Sequence, residues 1–307
     1  MTATAPVQHL LLTGFAGLGK TRLAGIMGEI LSSKDWKYHV VPVGVSLSQL
    51  KTILIQDCTS FANKNCLFFD EAHSLKKDVK EFLKSTMELG GCKARTMTIC
   101  DSKGVEYTLE LSSYNFLCIF ATNQAMTDSA LKGSSGRLTE LKLLPYSLED
   151  RVSIFASLWE VYAPEMALPT KEAVLTYCRN VRPFARAMKK QIQDCRSQAI
   201  ANGLEIGNVE GARKALKASS YFPGGWTLQH VEVLQYLATT ATGRQVQEVA
   251  AAPLQGATSK EAQEVLDELR QADFVLNTAQ GRKGATSAGV AYLQSLTVKK
   301  TVKVTKD

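Results

Sequence analysis

Gly14, Gly19, Lys20 and Thr21 stand in the pattern Gly-x-x-x-x-Gly-Lys-Thr, and Asp70 and Glu71 end the apolar run "CLFFDE" further along the chain. Glycines at these spacings let main-chain N–H groups turn inward around phosphates. The helix that follows aims its positive end at the same place. Lys20 then reaches the β- and γ-phosphates and Thr21 holds Mg²⁺. Two carboxylates at the carboxyl end of a buried strand lie where open α/β sheets bind ligands. Asp70 therefore belongs in the Mg²⁺ shell with Thr21, and Glu71 polarises the attacking water. Gly14, Gly17, Gly19, Lys20, Thr21 and Arg22 make up the expected ATP-binding set, with Mg²⁺ as cofactor and hydrolysis as the reaction. Asn123 ends a further apolar strand, "CIFATN". It either orients the lytic water or closes an ordinary strand-end turn. His73 reads first as a helix-start or surface residue.

These residues need a scaffold, and the pattern supplies one. Apolar runs "HLLLTG", "YHVVPVGV", "NCLFFD", "FLCIFAT" and "ELKLLPY" alternate with amphipathic segments. In one of these, "LKKDVKEFLKSTMEL", Leu75, Val79, Phe82 and Leu83 share a face, and Gly90-Gly91 marks the stop. Strand–helix alternation predicts an α/β fold with a parallel sheet. From about Leu148 to Lys217 the pattern is wholly helical. "YFPGGW" (Tyr221–Trp226) reads as a linker. Three helical stretches and a hairpin, "FVLNTAQGRKGATS", follow, in winged-helix order. The expected organisation is a large ATPase domain over 1–147, a small helical lid over 148–220, a winged-helix domain over 221–298 and a basic tail over 299–307.

The third helix of the last domain carries Glu261, Glu264, Asp267 and Glu268 against Lys260 and Arg270, which suits base reading poorly. Arg282 and Lys283 on the wing suit phosphate contact instead. Duplex or branched DNA bound through its backbone is the expected partner, with steep salt dependence; the competing reading is a protein–protein module. A net charge of +7 favours an anionic partner or a solvated basic face. The cysteine count is seven and no pair has C-x-x-C spacing, so free thiols are expected rather than disulfides or zinc. With no basic leader and no membrane-length apolar run, the expectation is a soluble, cytoplasmic protein without a membrane partner.

The pieces "LLLTGFAGLGKTRLA", "LFFDEAHSL", "ARTMTICDSKGVEYTLELSSYNFLCIFATN" and "GRKGATSAGVAYL" together resemble AAA+ ATPases, and within them the RuvB family. "DEAH" also labels another helicase class, whose layout does not fit. The RuvB resemblance covers most of the chain. It implies a P-loop AAA+ sheet domain with helical lid and winged helix, and a hexameric ring of copies. It implies an ATP-driven motor that promotes branch migration of Holliday junctions in recombination and repair. It also implies that a hairpin over Arg95–Leu111, turning at Asp101–Gly104, docks a RuvA-like junction-binding protein. Ile99, Val105 and Tyr107 are the expected exposed apolar tip. By the same resemblance Arg137 in "LKGSSGRL" is the arginine contributed in trans, and Arg182 in "RNVRPFARAMKKQI" is the lid arginine, with Arg186 in reserve. The family has a long stretch ahead of the P-loop that helps clasp adenine. Thirteen residues precede Gly14 here. That departure implies looser base recognition, weaker nucleotide affinity or completion of the pocket by another chain. It also gives weight to the alternative, an ATP-switched DNA-binding regulator or helicase loader without translocation.

Overall fold

The computed structural model describes residues 8–57, 63–87, 95–111, 115–123, 138–240, 242–278 and 281–301. They fall into two compact units. One holds residues 1–147 with 184–186, and the other holds 148–183 with 187–307.

In the first unit, strands β1 (His9–Thr13), β2 (Trp36–Val41), β3 (Lys64–Phe69), β6 (Phe116–Thr122) and β7 (Leu138–Lys142) form one sheet in the order β2-β3-β6-β1-β7. Every pairing in it is parallel. Parallel central strands are covered on both faces and so read as unbroken apolar runs. Phe116–Thr122 is buried at every position, which fits its place between β3 and β1. Helices α1 (Lys20–Ser32), α2 (Leu47–Asp57) and α3 (Lys77–Met87) accompany the sheet. The core divides accordingly. Leu12, Ala24, Phe68 and Ile119 pack in one cluster, and Leu50, Leu54, Val79, Leu83, Phe69 and Phe120 in the other. In α3, Val79 and Leu83 are fully buried while Phe82 lies at the margin, close to the expected face.

Strands β4 (Arg95–Cys100) and β5 (Glu106–Leu111) form a separate antiparallel hairpin. Asp101 closes its turn. Its Oδ1 accepts from the N–H groups of Lys103 and Val105 at 2.8 and 2.9 Å, and Gly104 adopts φ 80°. The expected three-residue apolar tip needs correcting. Ile99 is only 4% exposed, and Tyr107, its partner across the ladder, packs against the same core. Alternation along a strand puts Met97, Ile99, Tyr107 and Leu109 on one face, and that face is the buried one. Val105, in the turn, is the exposed apolar residue.

The second unit contains two cores. Helices α4 (Leu148–Tyr162), α5 (Lys171–Arg179), α6 (Ala185–Asn202) and α7 (Val209–Ala218) enclose Phe155, Trp159, Tyr177, Ile192 and Leu216. Thr170 and Asn208 cap α5 and α7 through their side chains. Helices α8 (Leu228–Ala238), α9 (Val246–Ala251), α10 (Ser259–Gln271) and α11 (Ser287–Thr301) surround Trp226, Leu234, Val249 and Leu266, with a ribbon of β8 (Val275–Asn277) and β9 (Lys283–Ala285). "YFPGGW" is a packed turn rather than a loose linker. Phe222 bridges to Trp226, and a Cβ at Gly225 would stand 2.4 Å from the Arg182 nitrogen. Close backbone approach therefore dictates glycine there.

Candidate nucleotide site

The P-loop connects β1 to α1 at the carboxyl edge of the sheet. Gly14 has φ 142°, and a side chain on it would come within 2.7 Å of the Leu143 carbonyl oxygen. Lys20, 8% exposed, turns back into the loop and donates to the carbonyls of Gly14 and Phe15 at 2.8 and 2.9 Å. Burial lowers its pKa. The charges of Glu71 and Asp70 push it back up, and Arg186 adds to the lowering. A lysine so held needs no side-chain ordering to meet a phosphate. Tyr146, absent from the expected set, donates its hydroxyl to the Leu18 carbonyl at 2.8 Å and ties the loop to the chain after β7. A lone tyrosine some hundred residues downstream gave no signal in the sequence.

Asp70 follows β3 directly. Its Oδ2 accepts from the Thr21 hydroxyl at 2.7 Å, and its Oδ1 from the Glu71 N–H at 2.9 Å. A hydroxyl and a carboxylate brought together are hard oxygen donors of the kind Mg²⁺ takes, so the residues fit that ion. Glu71 has φ 49°, a left-handed conformation uncommon outside glycine. That twist caps the short 3₁₀ turn Ala72–Ser74 and leaves the Glu71 side chain about half exposed. Strained backbone of this kind collects at functional sites.

His73 is better placed than its sequence reading suggested. Its Nε2 lies 3.4 Å from Glu71 Oε2, and its Nδ1 3.2 Å from the Thr122 hydroxyl. The imidazole thus spans the ends of β3 and β6. Asn123 comes immediately after Thr122 and is exposed at the same sheet edge. The sheet register, with Phe69 beside Phe120 and Thr13 beside Thr122, brings the P-loop, the acidic pair and Asn123 to one edge.

Arg22 points away, 75% exposed and 3.7 Å from Glu29 along α1. Arg137 lies outside the described residues. Arg182 is not at the nucleotide: it is 14% exposed, forms an ion pair with Glu268 at 2.5 Å and stacks over Trp226. The same Glu268 accepts from His230 at 2.6 Å. Burial pushes the Glu268 carboxyl up, but the His230 hydrogen bond and the Arg182 charge prevail and hold it down at about 2. Arg186, the reserve, clusters with the first unit. Its Cβ lies 3.0 Å from where a Gly17 side chain would begin, and the neighbouring Ala185 N–H donates to the Gly17 carbonyl at 3.1 Å. Pro183 precedes the helix, which begins at Ala185, so Arg186 stands in its first turn.

On the ribbon, Lys283 donates to Asn277 Oδ1 at 2.6 Å, and Arg282 reaches the Gly243 carbonyl at 3.5 Å. Both are half-buried, and Lys283 forms the last pair of the ribbon before its loop. Among the described residues no cluster of His, Cys, Asp and Glu is arranged to hold a metal by itself, and Cys66, Cys100, Cys118, Cys178 and Cys195 form no disulfide. No described helix is long and apolar enough to cross a membrane.

A P-loop and an acidic strand end on a β2-β3-β6-β1-β7 sheet narrow the comparison sharply. The Holliday junction DNA helicase RuvB P-loop domain family matches residues 2–141. The chain carries a RuvB-family P-loop domain. A branch migration complex subunit RuvB from Mycoplasmopsis synoviae is 25% identical over 292 residues, covering 94% of this chain and 87% of its own. That of Ehrlichia chaffeensis is 36% identical over 106 residues, about a third of each chain. Among solved structures, the Thermotoga maritima RuvB Holliday junction branch migration motor superposes with a TM-score of 0.68 at 21% identity. It covers 94% of this chain and 88% of that one, and shows that the RuvB fold extends beyond the P-loop domain.

Proposed function

We propose that the chain is an ATP-hydrolysing motor that moves branched duplex DNA, as the relatives named for Holliday-junction branch migration do. The observation that carries it is the Lys20–Thr21–Asp70–Glu71 constellation at one sheet edge of a RuvB-family domain. Lys20 and the loop amides bind the triphosphate. Thr21 and Asp70 hold Mg²⁺, which when bound neutralises charge on the phosphates. Glu71 accepts the proton of the attacking water, and Asn123 orients that water. His73 aligns Glu71. Arg137 of a neighbouring copy in a hexameric ring meets the transition-state charge. Arg186, rather than Arg182, serves as the lid arginine, because its Cβ lies beside Gly17. The organisation is that of large domain 1–147, lid 148–220, winged helix 221–298 and tail. Arg282 and Lys283 contact the DNA backbone. The Arg95–Leu111 hairpin, with Val105 at its turn, docks a RuvA-like protein.

The test is ATP turnover with and without a four-way junction, on wild type and Glu71→Gln. Junction-stimulated hydrolysis that disappears in the variant, with ATP binding kept, is expected. ATP-dependent DNA binding without junction movement would replace the motor with a switch or loader.

A further inference from the structure

Arg179 at the end of α5, Arg213 and Lys217 on α7, and Tyr221 and Phe222 of the turn that follows line a cavity of about 510 Å³. Arg213 and Lys217 are four residues apart and share a helix face. All three cationic side chains are exposed, and none has an ion pair or hydrogen bond among the described residues. Nearby carboxylates are engaged elsewhere: Glu210 lies 3.5 Å from Lys214, and Asp194 accepts the Tyr221 hydroxyl at 2.9 Å. Arg179 and Lys217 stand in the last turns of their helices, where the carbonyl ends favour a cation. That partial charge fades within a turn, and Arg213 lies beyond it. Three like charges around one concavity repel each other and raise a positive potential that concentrates anions. Guanidinium forks match phosphate oxygens in pairs, and carboxylates of a peptide would lack the regular spacing that a polynucleotide offers. Half-buried Tyr221 and Phe222 give the cavity an apolar wall against which a sugar can lie.

We infer that this cavity binds the sugar–phosphate backbone of DNA through Arg179, Arg213 and Lys217, as a contact additional to the wing. The inference rests on the reading of the chain as a DNA-acting protein, and its failure is separable from failure of that reading.

The experiment uses the full chain with Arg213→Ala/Lys217→Ala, and in parallel Arg282→Ala/Lys283→Ala, with thermal melting to confirm folding. Affinity for a fluorescent duplex is followed against salt. Loss of two phosphate contacts should weaken binding about tenfold near 0.1 M salt. It should also make the slope of log K against log salt shallower by about 2. Basal ATPase should not change, and the swap Arg213→Lys/Lys217→Arg should restore the slope. An unaltered slope in the cavity variant, with binding still lost in the wing variant, overturns the inference and leaves the function standing. Binding of fluorescent polyglutamate that is lost in Arg213→Ala/Lys217→Ala, with duplex binding untouched, also overturns it. Absence of duplex binding by the wild type would defeat the reading on which it rests.

Discussion

The Thr21 hydroxyl donates to the Asp70 carboxylate across 2.7 Å, so the first turn of α1 and the end of β3 present their oxygens to one point. Neither residue could reach that point without parallel pairing of β1, β6 and β3. Thr21→Val and Asp70→Asn should each reduce Mg²⁺-dependent ATP turnover by at least about 100-fold, since metal neutralisation contributes several kcal/mol. Turnover against magnesium concentration checks this. Wild-type rates in either variant would remove the metal assignment.

His73 bridges Glu71 and Thr122. His73→Ala frees the Glu71 side chain to sample other rotamers, and kcat should fall about tenfold with little change in KM. A drop in nucleotide affinity instead would mean that His73 only supports the loop.

Arg186 and Arg182 should separate cleanly. Arg186→Ala should slow hydrolysis and leave the melting temperature near that of wild type. Arg182→Ala strands Glu268 and His230 together and should lower stability first. Glu268→Ala leaves two cationic or polar partners buried. Glu268 itself keeps 37% exposure, so solvent screens the pair and the loss should be about 2 kcal/mol, below the range for fully buried pairs. Urea midpoints measure both.

His9 is 5% exposed and accepts from the Cys118 N–H at 3.0 Å. Burial lowers its pKa from 6.5 to about 4. The unfolded chain therefore binds a proton between these values and the folded chain does not, so stability rises with pH across that window. It should be complete above pH 6.5 and fall by roughly 3 kcal/mol as pH drops toward 4. His9→Phe should flatten this part of the pH profile in chemical denaturation; a profile parallel to wild type would sink the assignment.

The local signals were legible where the chain carries its own instructions. Glycine spacing, the apolar strand ending in Asp70-Glu71 and the Asp101–Gly104 turn each act over a few neighbouring residues, so the α/β fold and the phosphate loop could be read directly. Ile99 and Tyr107 were misplaced because alternation shows that a strand has two faces, not which one the core covers. His73 looked ordinary because its partner Thr122 lies 49 residues away. Arg182 and Arg186 are four residues apart, one before the helix and one in its first turn, and sequence alone had no means to rank them.

Composition and short-range pattern thus determined that a triphosphate loop sits on a parallel sheet with helical and winged-helix parts after it. Tertiary structure decided which arginine lies beside the loop, which histidine lies beside the acid, and which hairpin face is hidden. Backbone preferences and glycine sterics are local, whereas burial, ion pairing and convergence at a sheet edge depend on strands and helices far apart in the chain.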